Sequence, residues 1–367
     1  MNIAHWFNGL RSRSAPVPIG VDFAAHRLNL VQAAPGPAGW TLTAAASVPY
    51  PLPRAELLAS PQALRRFVDG ALAAGPFQGR RVVSALPPGD VRILPLTVQV
   101  GGGIGEAQAV AKAAADHLGE GVDDAVLDYY QVRGADADSA ERQVLVAVAH
   151  RPRVLAYLAM LESARLQPVA LDIGPAAIAR LLAALHGTDL GQSILLINFG
   201  VGKSFLTVIW GRRLMLDREI EFGEELLTGR LASALDLAPP MALALLKEHG
   251  IGARTALTQD DGAPSARLQQ SVREILHPDC QALAEELART QVYVASRTRG
   301  SSISRVYLNG SLARFPHIQD RIAELIDVPV QLLDPFEAFV RPQPRSGDAA
   351  TAIALASGLA LRRPDHG

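Results

Sequence analysis

QSILLINFGVGKSFLTVIWGRRLML, residues 192–216, is the stretch whose reading decides the fold. The apolar run 193–197 is too short for a typical helix, turn-prone Asn198, Gly200 and Gly202 follow it, and a β-rich run begins at Phe205. This pattern predicts a β-hairpin. Its tip presents Asn198, backbone N–H groups beside two glycines, Lys203 and Ser204. Glycine lets a backbone come close to a phosphate, so the tip reads as an anion cradle. It is not a P-loop, although Gly202-Lys203-Ser204 matches the end of that motif. The first glycine of the motif would stand at position 197, which is Ile197, and a strand follows where a P-loop opens a helix.

A second stretch, PIGVDFAAHRLNLVQ (residues 18–32), repeats the design. The offset that carries Asp22 onto Asn198 also carries Phe23 onto Phe199, Ala24 onto Gly200 and Leu30 onto Leu206. Two such hairpins predict a duplicated unit, with the tips facing each other across one cleft and converging on a shared anion. Coincidence between two generic strand patterns is the competing reading.

The remaining chain supplies the elements such units need. Strands are expected at 40–48, 81–86, 91–100, 126–132, 143–149, 168–173, 305–308 and 330–333. Helices are expected at 61–74, 106–118, 152–165, 175–185, 224–235, 239–249, 268–299 (as one or two), 316–326 and 349–361. In the helix at 152–165, Leu155, Leu158, Met160 and Leu161 are expected to face inward. The glycine-rich run 101–105 lacks phosphate-loop spacing and reads as a hinge into an inserted unit. Asp172 ends its strand much as Asp22 does; it reads either as a ligand or as an acid recruited by the following helix start. Residues 1–17 place Ile3, Phe7 and Leu10 at helical spacing beside Trp6, Arg11 and Arg13. They read either as a loose tail or as an interfacial anchor.

Composition narrows the class. A chain of 367 residues, 49% hydrophobic with mean hydropathy +0.16, buries a substantial core in about two to four subdomains. A net charge of −1 generates no global field toward nucleic acid or acidic membrane, so no nucleic-acid partner is expected. The single cysteine, Cys280, excludes an internal disulfide framework and a multi-cysteine metal site. No apolar run approaches the roughly 18 residues of a membrane span, and the N-terminus lacks a long secretory segment, which sets the expectation of a cytoplasmic protein.

At Gly20-Val21-Asp22, Ile197-Asn198-Phe199-Gly200, Gly223 with Thr228, and Leu308-Asn309-Gly310, the order of parts resembles the actin-like ATPase superfamily. Over nearly the whole chain it resembles, more narrowly, the type IV pilus assembly protein PilM family. The resemblance implies an α/β actin-like ATPase fold, with two related lobes around a nucleotide cleft and an inserted small subdomain. The implied boundaries are a tail at 1–17, a first lobe at 18–100 and 151–190, an insertion at 101–150, a second lobe at 191–345, and a C-terminal helix at 346–367 returning to the first lobe. It implies ATP and Mg²⁺ as cofactors. Asp22 matches the acid that holds Mg²⁺ through water, and carboxylate oxygen suits that ion. Asn198, Gly200, Gly202 and Lys203 match the second phosphate hairpin; Gly223, Glu225 and Thr228 match the ribose side, and Gly310 the adenosine loop.

As partners the resemblance implies the cytoplasmic tail of a PilN-like bitopic membrane protein and pilus motor components. The insertion is implied as the place for the tail contact or for homo-oligomeric self-assembly, and the location as cytoplasmic, peripheral to the inner membrane. Four positions depart from the family pattern. Ala24, Glu224 and Ser311 replace glycines, and Asn198 replaces an aspartate. The lost carboxylate and the added Cβ atoms argue against hydrolysis, with at most weak ATPase activity expected, while Lys203 compensates in part as a phosphate contact. An actin-fold small-molecule kinase and a nucleotide-free secretion-system adaptor are the alternatives. The kinase would require a general base that the cleft motifs do not supply.

Overall fold

The computed structural model describes residues 16–101, 103, 105–119, 124–132, 140–186, 191–211, 213–252, 264–298, 300–340 and 352–363. Residues 1–15 of the expected tail and residues 349–351 of the expected last helix lie outside them.

In chain order the first unit contains β1 (Ile19–Phe23), β2 (Arg27–Gly36), β3 (Gly39–Pro49), α1 (Arg54–Ala59), α2 (Pro61–Ala73) and β4 (Arg81–Ala85). Next come β5 (Val91–Gln99), α3 (Glu106–Leu118), β6 (Ala125–Gln131) and β7 (Glu141–His150), then α4 (Arg151–Ser163), β8 (Gln167–Asp172) and α5 (Gly174–Leu185). The second unit contains β9 (Ser193–Phe199), β10 (Ser204–Trp210), β11 (Arg213–Ile220), α6 (Glu224–Leu235), α7 (Pro239–His249), α8 (Pro264–Ile275) and α9 (His277–Arg297). It continues with β12 (Ile303–Gly310), α10 (Ile318–Ala323) and β13 (Val330–Leu332), and α11 (Ala354–Ala360) follows.

The two large sheets share one topology. The first runs β3-β2-β1-β4-β8 and the second β11-β10-β9-β12-β13. In each, the first strand has an antiparallel hairpin partner on one side and a parallel strand on the other. The register agrees as well: Asp22 stands opposite Asn29 and Asn198 opposite Phe205, the positions that the sequence offset makes equivalent. Parallel neighbours require long crossovers, and these carry the helices and the third sheet, β5-β7-β6. That small sheet and α3 bury a core of their own, including Leu94, Val110, Val144 and Val146.

Helix α5 couples the units. Ile178, Leu181 and Leu182 pack in one cluster with Val31 and Ala33 of β2 and with Ile194 and Leu196 of β9. Against it and β1 lies α11, so closely that a Cβ at Gly20 would fall 2.1 Å from the Ala356 carbonyl oxygen. A Cβ at Gly358 would fall 2.1 Å from the carbonyl oxygen of Ala177. The C-terminal helix thus completes the first unit, although it follows the second in sequence.

Local chemistry explains most element starts. The Ser60 hydroxyl accepts from the N–H of Ala63, and Pro61 follows at the first helical turn of α2. Helix α4 keeps Leu161 buried as expected and Leu158 and Met160 half-buried, but Leu155 is 58% exposed, and Tyr157 and Ala164 are buried in its place. Apolar residues surround this helix, so composition alone does not select the buried stripe, which follows the 157, 161, 164 spacing. The helix expected at 316–326 shortens to Ile318–Ala323, and α1 was not anticipated.

Substituting Gly20 by Val forces β1 and α11 apart. Urea unfolding is expected to show a loss of at least about 2 kcal/mol, or no folded protein, whereas Leu155→Ala stays within about 0.5 kcal/mol of the parent.

Candidate functional site

In an antiparallel or parallel ladder, residues opposite one another share a face, and positions two apart point the same way. One such row crosses the second sheet as Asn309, Asn198, Phe205 and Glu219, and the next as Tyr307, Leu196, Thr207 and Asp217. Seven of these eight residues, all but Tyr307, line a cavity of about 430 Å³. Its remaining lining includes Leu86, Ile93 and Leu94, together with Ile173, Gly174 and Pro175 at the start of α5. Both lobes and the third sheet therefore contribute walls. The third sheet is tied to the second lobe beside this region. The Tyr130 hydroxyl donates to the Leu214 carbonyl, and Arg213 Nη1 donates to the Gln131 carbonyl at 3.4 Å.

The residues expected in the second lobe are brought together. Asn309 Nδ2 donates to Asn198 Oδ1 at 2.9 Å, joining β12 to the hairpin. Gly310 has φ of +94°, and a Cβ there would fall 2.0 Å from the Phe199 carbonyl oxygen, so this position requires glycine. The Ser311 N–H donates to Phe199 O at 2.8 Å and its hydroxyl to Gly200 O at 3.1 Å. The extra side chain at 311 therefore serves as a tie between loop and hairpin.

The hairpin turn rests on the start of α6. Glu224 N–H donates to Gly200 O at 3.3 Å and Glu225 N–H to Val201 O at 2.8 Å. A Cβ at Gly200 would meet the Lys203 carbonyl at 2.0 Å, and one at Gly223 the Gly202 carbonyl at 2.3 Å. These two glycines are thus demanded by the backbone's own packing. Gly202 has its Cβ direction toward Glu225 Oε2 at 3.4 Å, and Thr228 Oγ1 is buried without a partner among the described residues.

An anion needs donors, and the turn retains them. Among the described residues the N–H groups of Val201, Gly202 and Lys203 donate to no protein acceptor. The side chains are less favourable. Lys203 Nζ lies 2.6 Å from Glu219 Oε1 and 2.8 Å from Glu221 Oε1, and hydrogen bonds to these two carboxylates hold its pKa above the ordinary lysine value. The backbone fits a phosphate group, while the acid-rich surroundings fit one whose charge a divalent cation has reduced.

Asp22 lies in the first sheet and is not part of the cavity lining. Asn29 Nδ2 donates to Asp22 Oδ2 at 2.9 Å, Ser47 Oγ donates to Asn29 Oδ1 at 2.7 Å, and Arg27 Nε donates to Ser47 Oγ at 2.8 Å. Burial pushes the Asp22 carboxyl up to about 6, against the opposing pull of the Asn29 bond and the charge of Arg54. The Tyr50 hydroxyl donates to Ala24 O at 2.9 Å and fixes the first hairpin's turn. Asp217, which the sequence reading passed over, is likewise pushed up to about 6 by burial, offset in part by the Thr207 hydroxyl at 2.6 Å. The sequence carried little signal for it, because alternation along β11 places it with Arg213, Met215 and Glu219, a mostly polar set. Asn309 had a signal, as the polar neighbour of Gly310.

Asp172 is committed elsewhere. It accepts from the Ile173 N–H at 2.8 Å, pairs with Arg180, and lies 3.3 Å from Arg362 Nη1.

Comparison with known proteins agrees with this architecture. A family model described as type IV pilus assembly protein PilM matches residues 20–256 and 259–364. A chain of a PilM-PilN type IV pilus biogenesis complex is 23% identical with a TM-score of 0.72, covering 95% of this chain and 98% of that one. The ethanolamine utilization protein EutJ from Carboxydothermus hydrogenoformans is 14% identical with a TM-score of 0.51, covering 95% and 90%. MreB5 of Spiroplasma citri, in a structure bound to AMPPNP, is 11% identical with a TM-score of 0.47, covering 94% and 95%. Among curated proteins nothing matches. The fold is the α/β actin-like ATPase fold, as the repeated topology and the likeness to the PilM-PilN and EutJ structures show.

The raised carboxyls set a pH dependence. A carboxyl that binds its proton more tightly folded than unfolded makes stability fall as pH rises from about 4 to about 6, then level off. Asp22→Asn removes that share of the slope. Its thermal midpoint is expected to match the parent's near pH 4 and to exceed it by about 2 °C or more at pH 7.5; scanning calorimetry at the two pH values checks this.

Proposed function

Because this chain belongs to the type IV pilus assembly protein PilM family, we propose that it is a cytoplasmic, actin-like scaffold of a type IV pilus or related secretion machine. It binds the cytoplasmic tail of a PilN-like bitopic membrane protein and so sits beside the inner membrane, linked to the pilus motor. The observation that carries this reading is the extent of the family match, which takes in all three sheets. No helix among the described residues is long and apolar enough to cross a membrane, which fits a partner supplying the attachment.

The tail's place in this reading is a groove of about 270 Å³ between the small sheet and the first lobe. Val126, Tyr129 and Ala147 line one side of it, and Val154, Leu171 and Ala176 the other. Apolar walls between two subdomains suit the side chains of an extended peptide.

In this reading ATP and Mg²⁺ are structural ligands. Asp22 supplies the carboxylate for the ion. The free N–H groups at 201–203 and Lys203 take phosphate oxygens, with Gly223, Glu225, Thr228 and Gly310 toward the nucleoside. When bound, the nucleotide supplies negative charge that the amides and Lys203 compensate. Asn198 accepts from Asn309 and carries no negative charge with which to activate water, consistent with binding that does not lead to efficient hydrolysis. The alternative of a small-molecule kinase finds no support in Asp172, since its carboxylate is held by Arg180 and Arg362.

Calorimetric titration of the full chain with the synthetic tail of its membrane partner tests the scaffold. Saturable binding is expected, and Ala147→Trp, which fills the groove, is expected to weaken it at least ten-fold; absence of binding by the parent rejects the reading. A fluorescent ATP analogue is expected to bind with Mg²⁺ and to lose most of that binding in EDTA or in Asp22→Asn. Binding of equal strength in EDTA rejects the role of Asp22.

A further inference from the structure

The cavity at the junction of the three sheets has a chemical character that a phosphate site does not need. Its walls are largely apolar, from Ile93, Leu94, Ile173 and Phe205, and its polar lining includes two carboxylates, Asp217 and Glu219. Asp217 has one hydrogen bond, from the neutral Thr207 hydroxyl, and takes part in no ion pair among the described residues. A carboxylate held partly out of water with no cation beside it is costly, and such groups are ordinarily paired. Glu219 lines the same cavity two residues along β11. Asn309, only 8% exposed, lines it as well, and its Oδ1 finds no donor among the described residues. The wall therefore combines a carboxylate lacking a cation with a second acid, Glu219, that Lys203 already pairs, and a nine-tenths buried amide oxygen lacking a donor.

We propose that this cavity binds the guanidinium or ammonium head of an organic cation, with the attached hydrocarbon stem against the apolar walls. A volume of about 430 Å³ lies in the range of small-molecule sites. A metal ion fits poorly, because no group of three or more His, Cys, Asp or Glu among the described residues is placed to hold one. A bare phosphate would meet two carboxylates. Arg92, the one cationic side chain of the lining, is exposed and forms no ion pair among the described residues. Its charge competes with a bound cation. The proposal stands on the cavity and does not require the pilus reading.

The test is calorimetric titration of the full chain with n-butylguanidinium, with neutral n-butylurea as the matched control. Butylguanidinium is expected to bind and butylurea to bind at least ten-fold more weakly. Asp217→Asn and Glu219→Gln are each expected to weaken the cation, Arg92→Gln to strengthen it, and Glu285→Gln on the outer face of α9 to change nothing. Should Asp217→Asn fail to fold, Glu219→Gln and the cavity-filling Ile93→Trp carry the test. Equal affinity for the two compounds, or parental affinity in both Asp217→Asn and Glu219→Gln, overturns the proposal. A competition arm identifies the source. Displacement by the partner's tail peptide, but not by the same peptide with citrulline and norleucine at its basic positions, assigns the cation to the partner. No displacement by either peptide assigns it to a free small molecule.

Discussion

The molecule depends on backbone coming against backbone where α11 meets β1 and α5. At Gly20 and Gly358 the space a Cβ would fill is already occupied by carbonyl oxygens of Ala356 and Ala177. Helix α5 is held by this contact on one side and by the inner face of the second sheet on the other. Close packing of this kind transmits displacement and tolerates little of it. The start of α5 is therefore a fixed wall, and Ile173, Gly174 and Pro175 stand opposite the polar rows of the second sheet because of it.

From that constraint follows the division of labour between the two repeats. They share strand order and register, yet their equivalent positions have diverged in charge. Asp22 keeps a carboxylate, bonded through Asn29 and Ser47 toward Arg27, while Asn198 is neutral and bonded to Asn309. Acidity in the second repeat has moved to the outer strand, at Asp217 and Glu219, and Glu219 holds the lysine at the hairpin tip. The result is a tip whose free amides favour anions above a cavity whose side chains favour cations.

The small third sheet has its own core and reaches across to the second lobe through Tyr130 and Gln131. It consequently borders both hollows, the junction cavity and the apolar groove against the first lobe. A ligand in either place would bear on the same element.

By itself the sequence determined the duplicated hairpin and most of the strand and helix order, because alternation, helical spacing and turn chemistry are local and survive in a linear string; that Gly200, Gly223 and Gly310 are required by neighbouring backbone became visible only in the structure. The offset between Asp22 and Asn198 carried enough of the register to establish that one unit occurs twice. Only the tertiary structure decided which face of α4 is buried, since Leu155 and Tyr157 are both plausible inward residues until the neighbouring helix and strand choose. It alone brought Asp217, Asn309 and Ile173 around one cavity and joined Lys203 to Glu219 and Glu221. Those partners are distant in sequence or on different strands, and their energies depend on burial and on opposing charge, quantities that a residue acquires only when the sheets close around it.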